Sequence, residues 1–328
     1  MTDKPRNVKL PGQRQAKWAG KLIKLHPLHR EEEGSTTSAS LPSGTGQPPV
    51  KIVCISDTHG SEPPLPEGDV LIHAGDLTEN GSFDEIQAQL TWLSSQPHRH
   101  KLVIAGNHDV LLDPDFLSRH PERRYGDSRT ADDLEWGSVK YLQDAAITLT
   151  FPKPADADSS NSMPRKLKIF GSPHTPLYGT SAFQYPRSEN IWPSIIPADD
   201  IDILVTHGPP RLYLDSAGAQ KAGCAFLTRE VARLRPRLMV FGHIHAGYGQ
   251  LDVVVDRARG VYDEILNRET GWWGVLSLGF WVGVAWMRAM VLGREGLRGR
   301  ERVTTFVNAA VVGGRGNEVV NGAVVVVV

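Results

Sequence analysis

Short apolar runs that end in polar residues recur along the central part of the chain. They cover residues 50–56, 70–74, 101–105, 201–206 and 238–241. Runs of this length and composition are typical of buried strands. Residues 83–94 have apolar side chains at helical spacing between the second and third runs, and residues 224–234 have a helical pattern too. This alternation of strands and helices predicts an α/β core.

Residues 1–49 have the composition of a tail. Residues 34–49 are mostly Ser, Thr, Gly and Pro, and such a segment buries too little apolar surface to offset the entropy of ordering. Before it, Trp18 and several aliphatic residues lie among lysines, so a short basic amphipathic helix is the alternative to disorder. We predict a disordered basic tail and Ser/Gly/Pro linker over residues 1–49, and one folded domain over residues 50–328.

An apolar block interrupts the C-terminal part of that domain. The segment from Trp272 to Met287 carries no charged residue but is shorter than the roughly 20 residues that a membrane-spanning helix needs. Strand-like runs follow it at residues 305–307 and 323–328. We therefore predict an apolar insertion around residues 270–293 that docks on the domain or contacts a membrane interface through Trp272–Leu292, with a transmembrane helix as the alternative. The predicted location is cytoplasmic, with membrane association left open.

Charge and cysteine content exclude several classes of protein. The chain has 36 Lys and Arg against 37 Asp and Glu, and a net charge of −1 gives no global field for general nucleic-acid binding. Its two cysteines, Cys54 and Cys224, argue against a disulfide scaffold and against a cysteine zinc site. The 12 histidines are the remaining unusual feature, and their positions are informative.

Residues of the types that bind metals follow each of the predicted strands. In chain order these are Asp57-Thr58-His59, Gly75-Asp76, Gly106-Asn107-His108-Asp109, His207 and Gly242-His243-Ile244-His245. Functional side chains of α/β sheets collect at the carboxyl ends of the strands, where loops converge. Each motif is weak by itself, but the ordered set predicts that carboxylate, amide and imidazole groups meet at one edge.

This ordered set resembles the calcineurin-like metallophosphoesterases over about residues 50–250. The residues around Gly171-Ser172-Pro173, Thr206-His207-Gly208-Pro209 and residues 241–249 are similar to the metallophosphoesterase-domain subfamily first noted in brain. The resemblance implies a four-layer sandwich in which two mixed β-sheets are flanked by helices.

The resemblance also implies roles for individual residues. Seven of them would bind two metal ions, with Asp76 bridging: Asp57, His59 and His245 at the first metal, and Asn107, His207 and His243 at the second. His108 would stabilise or protonate the leaving oxygen, and Asp109 would orient His108. Mixed nitrogen and oxygen ligands suit Mn, Fe or Zn, and the identity of the two divalent or trivalent ions stays open.

The sequence thus predicts a binuclear metal-dependent phosphoesterase that acts on a small phosphoester. The subfamily resemblance favours phosphodiesterase over phosphomonoesterase activity and implies direct attack of a metal-bridging hydroxide. His174 and Arg187 are candidate substrate-binding residues, since a guanidinium can hold a phosphate in bidentate fashion. The alternative is a catalytically weak metal-binding scaffold or a membrane-associated interaction module on the same fold.

Overall fold

The computed structural model of the chain describes six stretches of residues. These are 12–29, 49–152, 164–197, 200–218, 220–314 and 316–328. They form two compact units. The smaller unit contains residues 12–29 and Val253–Val303, and the larger contains the described residues of 49–252 and Thr304–Val328.

The strands are short and are numbered here in chain order. They are β1 (Lys51–Ile55), β2 (Val70–Ala74), β3 (His100–Ile104), β4 (Val139–Tyr141), β5 (Ala145–Phe151), β6 (Arg165–Ser172), β7 (Thr175–Pro176), β8 (Gln184–Tyr185), β9 (Ile203–Thr206), β10 (Ser216–Ala217), β11 (Gln220–Lys221), β12 (Leu238–Phe241), β13 (Gly249–Val254), β14 (Val303–Asn308), β15 (Val312–Gly313), β16 (Glu318–Val319) and β17 (Val324–Val327).

The helices are numbered in the same way. They are α1 (Gln13–Ile23), α2 (Phe83–Ser95), α3 (Pro114–Arg119), α4 (Trp192–Ile195), α5 (Ala225–Leu234), α6 (Arg257–Leu266) and α7 (Trp272–Arg298). Short 3-10 helices cover Val110–Leu112, Pro121–Arg124, Ala131–Asp133 and His245–Gly247.

Two mixed sheets form the larger unit. The first has the strand order β17-β1-β2-β3-β4, in which β1 to β4 are parallel and β17 is antiparallel to β1. The second has the order β13-β14-β12-β9-β6-β5, with parallel pairing from β14 to β6 and antiparallel pairing of β5 with β6. The predicted α/β class with two mixed sheets and flanking helices is confirmed.

Alternate residues of the strands enter two different apolar layers. Ile52 and Ile72 of the first sheet share one core with Ile203 and Val240 of the second, so this core lies between the sheets. The neighbouring residues Val53, Ile55 and Leu71 enter a second core with Ile86, Leu90 and Leu93 of α2. Because both faces of β1 and β2 are buried, these strands appear in the sequence as continuous apolar runs.

The smaller unit is built from α1, α6 and α7. Ala19 and Ile23 of α1 share an apolar cluster with residues of the other two helices, namely Ala258, Ile265, Val275, Leu278 and Val282. The Trp286 indole N–H donates to the carbonyl of Leu25 at 2.6 Å. Helical geometry in α7 is interrupted at Gly293, where φ is 72°.

The structure differs from the sequence expectation at the N-terminus. Residues 13–23 form a helix where a disordered tail is predicted, so the amphipathic alternative describes this stretch. Its apolar side chains are buried by α6 and α7, which lie more than 200 residues further along the chain and which local composition does not reveal. The predicted linker over 34–49 lies outside the described residues except for residue 49.

The predicted insertion around 270–293 corresponds to α7. This helix belongs to the smaller unit, whose C-terminal part extends from Val253 to Val303.

We expect the core between the sheets to dominate the stability of the larger unit. Leu238 is fully buried there, whereas Leu177 is 50% exposed. Leu238→Ala should lower the free energy of unfolding by about 2–5 kcal/mol, because it removes buried methyl groups and leaves a cavity. Leu177→Ala, the matched control, should change it far less. Urea denaturation checks both values, and equal effects of the two substitutions would contradict this packing.

Candidate metal centre

The predicted ligand residues all follow strands whose carboxyl ends face the same edge. Residues from the first sheet come after β1, β2 and β3, and residues from the second come after β9 and β12. The two sheets therefore contribute different ligands to one site. This is the convergence at strand ends that the sequence motifs predict.

Asp57, His59 and His245 form one cluster of potential metal-ligand atoms. One atom of each lies within 4.8 Å of the others. Asp57 Oδ1 is 3.3 Å from His245 Nε2. Both oxygens of Asp57 also accept from the backbone N–H of His243 at 3.0 Å, so this carboxylate connects the loop after β1 to the loop after β12.

Asp76, His207 and His243 form a second cluster with the same spacing. Asp76 Oδ2 is 3.3 Å from His207 Nε2, and Asn107 Oδ1 is 3.0 Å from that same nitrogen. His207 Nδ1 donates to the carbonyl of Ala74 at 2.9 Å. This bond fixes the orientation of the ring and directs Nε2 toward the cluster.

The Asp76 carboxylate lies between the two clusters. Its Oδ2 atom is 3.9 Å from His59 Nε2 in the first cluster and 3.3 Å from His207 Nε2 in the second. Its Oδ1 atom accepts from the backbone N–H of His108 at 2.8 Å. The structure therefore places Asp76 where one carboxylate can serve both groups of ligands.

Four residues at the site have a backbone conformation that residues other than glycine rarely adopt. Asp57, His59, Asp76 and His243 all have positive φ, at 53°, 45°, 54° and 65°. Left-handed backbone in non-glycine residues costs free energy and concentrates at functional sites. Four strained positions in one set of contacts indicate that the surrounding packing holds these side chains in place.

Glycines beside the ligands allow this crowding. A Cβ atom at Gly242 would collide with the Asp57 carboxylate, and one at Gly106 would collide with Asp76. These close approaches explain why the motifs after β3 and β12 begin with glycine.

The charges of the second cluster are strongly coupled. Burial works to raise the pKa of Asp76, but the charge of His207 and its hydrogen bond outweigh burial and hold the pKa well below its usual range. Burial works to lower the pKa of His207, yet the carboxylates, Asp76 first, raise it to about 9. Burial and the charge of His207 lower the pKa of His243 to about 3. The pKa values of Asp76 and His207 thus shift in opposite directions because each side chain stabilises the charged form of the other, a role that a metal ion can take over.

The donor set fits metal ions on two grounds. His59 Nε2 is buried and has no hydrogen-bond partner among the residues that the structure describes, although it faces Asp76. An orphaned buried nitrogen costs free energy unless a ligand satisfies it. Imidazole, carboxylate and amide groups together are also the ligands that Mn, Fe or Zn accept. The seven predicted ligands are brought together, and their roles as ligands stay predictions.

His108 and Asp109 are adjacent in sequence but have different surroundings. His108 Nδ1 donates to the carbonyl of Glu79 at 2.7 Å. The Asp109 carboxylate accepts instead from Gly106, Leu77 and Thr78. The expectation that Asp109 orients His108 is therefore corrected, because successive side chains here point in different directions. Burial and the charge of Asp76 raise the pKa of Asp109 to about 6, and the carboxyl joins the loop after β2 to the loop after β3.

A cavity of about 360 Å³ opens onto both clusters. Arg187 and Tyr178 line it together with His108. The Arg187 guanidinium donates to two carbonyls that orient it, of Leu177 at 2.8 Å and of Ala222 at 3.3 Å.

His174, the other predicted substrate-binding residue, does not line this cavity. Its Nε2 atom lies 3.0 Å from Asp144 Oδ2, so its predicted role at the substrate is corrected to a contact with that carboxylate.

Comparison with known proteins decides the family. A family model described as calcineurin-like phosphoesterase matches residues 50–247, which is more than half of the 328-residue chain. The chain belongs to the calcineurin-like phosphoesterase family. The resemblance drawn from the strand-end motifs is thereby confirmed.

Three curated relatives of this phosphoesterase family member are informative. "Probable rhamnogalacturonate lyase C" of Emericella nidulans is 42% identical over 269 residues, which are 81% of this chain and 23% of that protein. Human "Metallophosphoesterase domain-containing protein 1" is 37% identical over 64% of this chain and 65% of its own length. A UPF0046 protein of Caenorhabditis elegans is 34% identical over 67% of this chain and 72% of its own length. The chain thus spans under a quarter of the Emericella nidulans relative.

Glu79 is a residue of the site that the sequence motifs do not reveal. Its Oε2 atom lies 3.1 Å from His59 Nδ1 and accepts from Asn317 Nδ2 at 2.9 Å, while its carbonyl accepts from His108. This contact does not have the geometry of a hydrogen bond, but the nearby negative charge favours a hydrogen on Nδ1 of His59 and leaves Nε2 free for a metal. The only signal in the sequence is an acidic residue three positions after Asp76, which is too common to be specific.

We expect Glu79→Gln to weaken metal binding at the first cluster. Loss of the carboxylate behind a histidine ligand typically lowers metal affinity by about 10- to 100-fold. Glu67, an exposed residue of the same unit, provides the control Glu67→Gln. Competition for Mn²⁺ against a chelating dye measures both affinities. Equal affinity of Glu79→Gln and the wild type would show that Glu79 does not support His59.

Proposed function

We propose that this chain is a binuclear metal-dependent phosphoesterase that hydrolyses a small phosphodiester by direct attack of water, without a phosphoenzyme. The position of Asp76 carries the proposal, because its carboxylate lies within 4 Å of histidine nitrogens from both clusters. Membership of the calcineurin-like phosphoesterase family supports the same reaction class. The complete set of ligand residue types disfavours the predicted alternative of a catalytically weak metal-binding scaffold or membrane-associated interaction module on the same fold.

The two clusters would each hold one metal ion. In this proposal Asp57, His59 and His245 bind the first ion, Asn107, His207 and His243 bind the second, and Asp76 contacts both. When bound, such a pair supplies positive charge to the phosphate oxygens and activates water for attack. Mn, Fe and Zn all suit these ligands.

His108 would supply the proton for the leaving group. The Glu79 carbonyl can only accept, so Nδ1 of His108 keeps its hydrogen and Nε2 is the nitrogen available to a substrate. The ring lines the cavity. A protonated His108 donates from Nε2 to the departing oxygen as the P–O bond breaks, and the ring is left neutral with its hydrogen on Nδ1.

The cavity lining favours a diester over a monoester. Arg187 is the one Lys or Arg side chain that lines it within the described part of the chain. Pro176, Pro209, Ala222 and Ile244 supply apolar surface beside it. The apolar wall can accept the second ester group of a diester while the guanidinium holds a phosphate oxygen beside it. The net charge of −1 and the small cavity also disfavour a nucleic acid.

The lyase activity in the name of the Emericella nidulans relative is not carried over to this chain. The similarity covers 23% of that protein, and the residues of the two clusters fit the phosphoesterase family.

We expect the Mn²⁺-loaded protein to hydrolyse bis-p-nitrophenyl phosphate faster than p-nitrophenyl phosphate. His108→Ala should lower kcat by about 10²- to 10⁴-fold, since it removes the proton donor. Asp76→Asn should nearly abolish turnover. His120→Ala is the control, because that ring packs on Phe116 away from the cavity. Wild-type turnover in purified Asp76→Asn, or no hydrolysis of either ester by the metal-loaded wild type, would contradict the proposal.

We expect Arg187 to bind the phosphate. Arg187→Ala should lower kcat/KM by about tenfold or more, mainly through KM, because a hydrogen bond to a charged group is lost. Arg187→Lys should restore little, since an ammonium cannot reproduce the bidentate geometry. Steady-state kinetics on the diester measures both variants, with the exposed Arg119→Ala as the control. Unchanged KM in Arg187→Ala would remove Arg187 from the substrate site.

A further inference from the structure

We infer that the smaller unit, residues 12–29 and Val253–Val303, docks on an anionic lipid surface, with α7 lying in the membrane interface and α1 facing the headgroups. This interaction is independent of the proposed phosphoesterase activity. It makes specific the membrane contact that the sequence leaves open for Trp272–Leu292. Two surfaces of the unit carry the inference, an apolar stripe on α7 and a basic face on α1.

The apolar stripe runs along one exposed face of α7. Its members recur at spacings of three, four and seven residues, and each is more than half exposed: Trp273, Leu276, Phe280, Met287, Met290 and Val291. Trp273 and Val291, near the two ends of the stripe, are each 83% exposed. Six exposed apolar side chains on one face of a helix are unusual on a soluble protein and mark an interaction site.

The opposite face of α7 is occupied by the unit itself. Val275, Leu278 and Val282 are buried in the cluster shared with α1 and α6. Among the described residues, α7 is the one helix that is long and apolar enough to cross a membrane by length and composition. In a spanning orientation, however, the packed helices would enter the hydrocarbon with it. They carry the ion pair between Arg259 and Asp263 and the lysines of α1, which are costly in lipid.

An orientation parallel to the surface avoids that cost. The stripe alone then enters the apolar boundary, while α6 and the buried face of α7 stay with the protein. Tryptophan is the side chain best suited to this boundary, and Trp272 and Trp273 begin the helix while Trp286 lies near its middle.

The exposed face of α1 is basic. Arg14, Lys17, Lys21 and Lys24 all lie on it, with Trp18 among them, and the Lys21 ammonium lies 5.1 Å from the centre of the Trp18 ring. Residues 12–29 contain no Asp or Glu. A basic face with an aromatic residue, in the same unit as an exposed apolar stripe, supplies the two features that bind an anionic membrane surface.

The positive charge on the exposed face of α1 favours an anionic lipid surface over a second copy of the chain as the binding partner. A second copy would cover the stripe but would not account for four cations gathered on one face of the adjacent helix. An anionic bilayer accounts for the stripe, the tryptophans and the cations together.

Vesicle flotation with the full chain tests the inference. The protein should float with vesicles of phosphatidylcholine and phosphatidylserine, should bind vesicles of phosphatidylcholine alone about tenfold or more weakly, and should be released by high salt or alkaline carbonate. Lipids brominated at different depths should quench tryptophan fluorescence most strongly when the bromines are near the headgroups.

Matched variants locate the surface. Phe280→Glu and the double variant Lys17→Glu/Lys21→Glu should each reduce binding by about tenfold or more. Val320→Glu, at an exposed apolar residue of the larger unit, should bind like the wild type. Circular dichroism melting curves check that the variants fold, and hydrolysis of the diester is read separately.

Three outcomes would overturn the inference. Equal binding to neutral and anionic vesicles would contradict the selection of anionic headgroups by α1, and no binding would remove the lipid surface as the partner. Resistance to carbonate with deep quenching would establish a spanning helix instead. A stable dimer in sedimentation velocity that Phe280→Glu dissociates, without vesicle binding, would assign the stripe to a second copy.

Discussion

The buried carboxylate of Asp76 is the constraint on which the rest of the site depends. A negative charge with almost no exposure is costly unless cations and hydrogen-bond donors surround it. The donors are present in the His108 backbone N–H and the His207 imidazole. The requirement for positive charge also explains the raised pKa of His207. Two metal ions would supply the same positive charge and would also activate water for attack on a phosphate ester.

The two sheets share this site, so the fold and the chemistry are coupled. Asp57 and Asp76 come from the first sheet, while His207, His243 and His245 come from the second. Separation of the sheets would disperse the ligands, and metal binding would in turn hold the sheets together. Asp57, Asp76 and His243 have positive φ angles, which cost free energy in residues other than glycine. Packing around the site must offset that cost.

Much of this arrangement can be predicted from the sequence, because apolar strands and the residues directly after them are local patterns. The strands that carry Asp57, Asp76, His207 and His243 fall at the predicted places. Contacts across long separations cannot be predicted in this way. Three such contacts join segments that are distant in the sequence and share no local pattern. They are the packing of α1 on α6 and α7, the pairing of His174 with Asp144, and the contact between Glu79 and His59. The Asp109 carboxylate and the His108 ring have different partners, and this difference cannot be predicted from the order of the residues in the motif.

Anomalous diffraction from crystals of the Mn²⁺-loaded protein tests the central claim most directly. The account predicts two metal peaks, one on each side of the Asp76 carboxylate, with the first bound by His59 and His245 and the second by His207 and His243. A single peak at full metal loading, or metal bound elsewhere while both clusters stay empty, would contradict it.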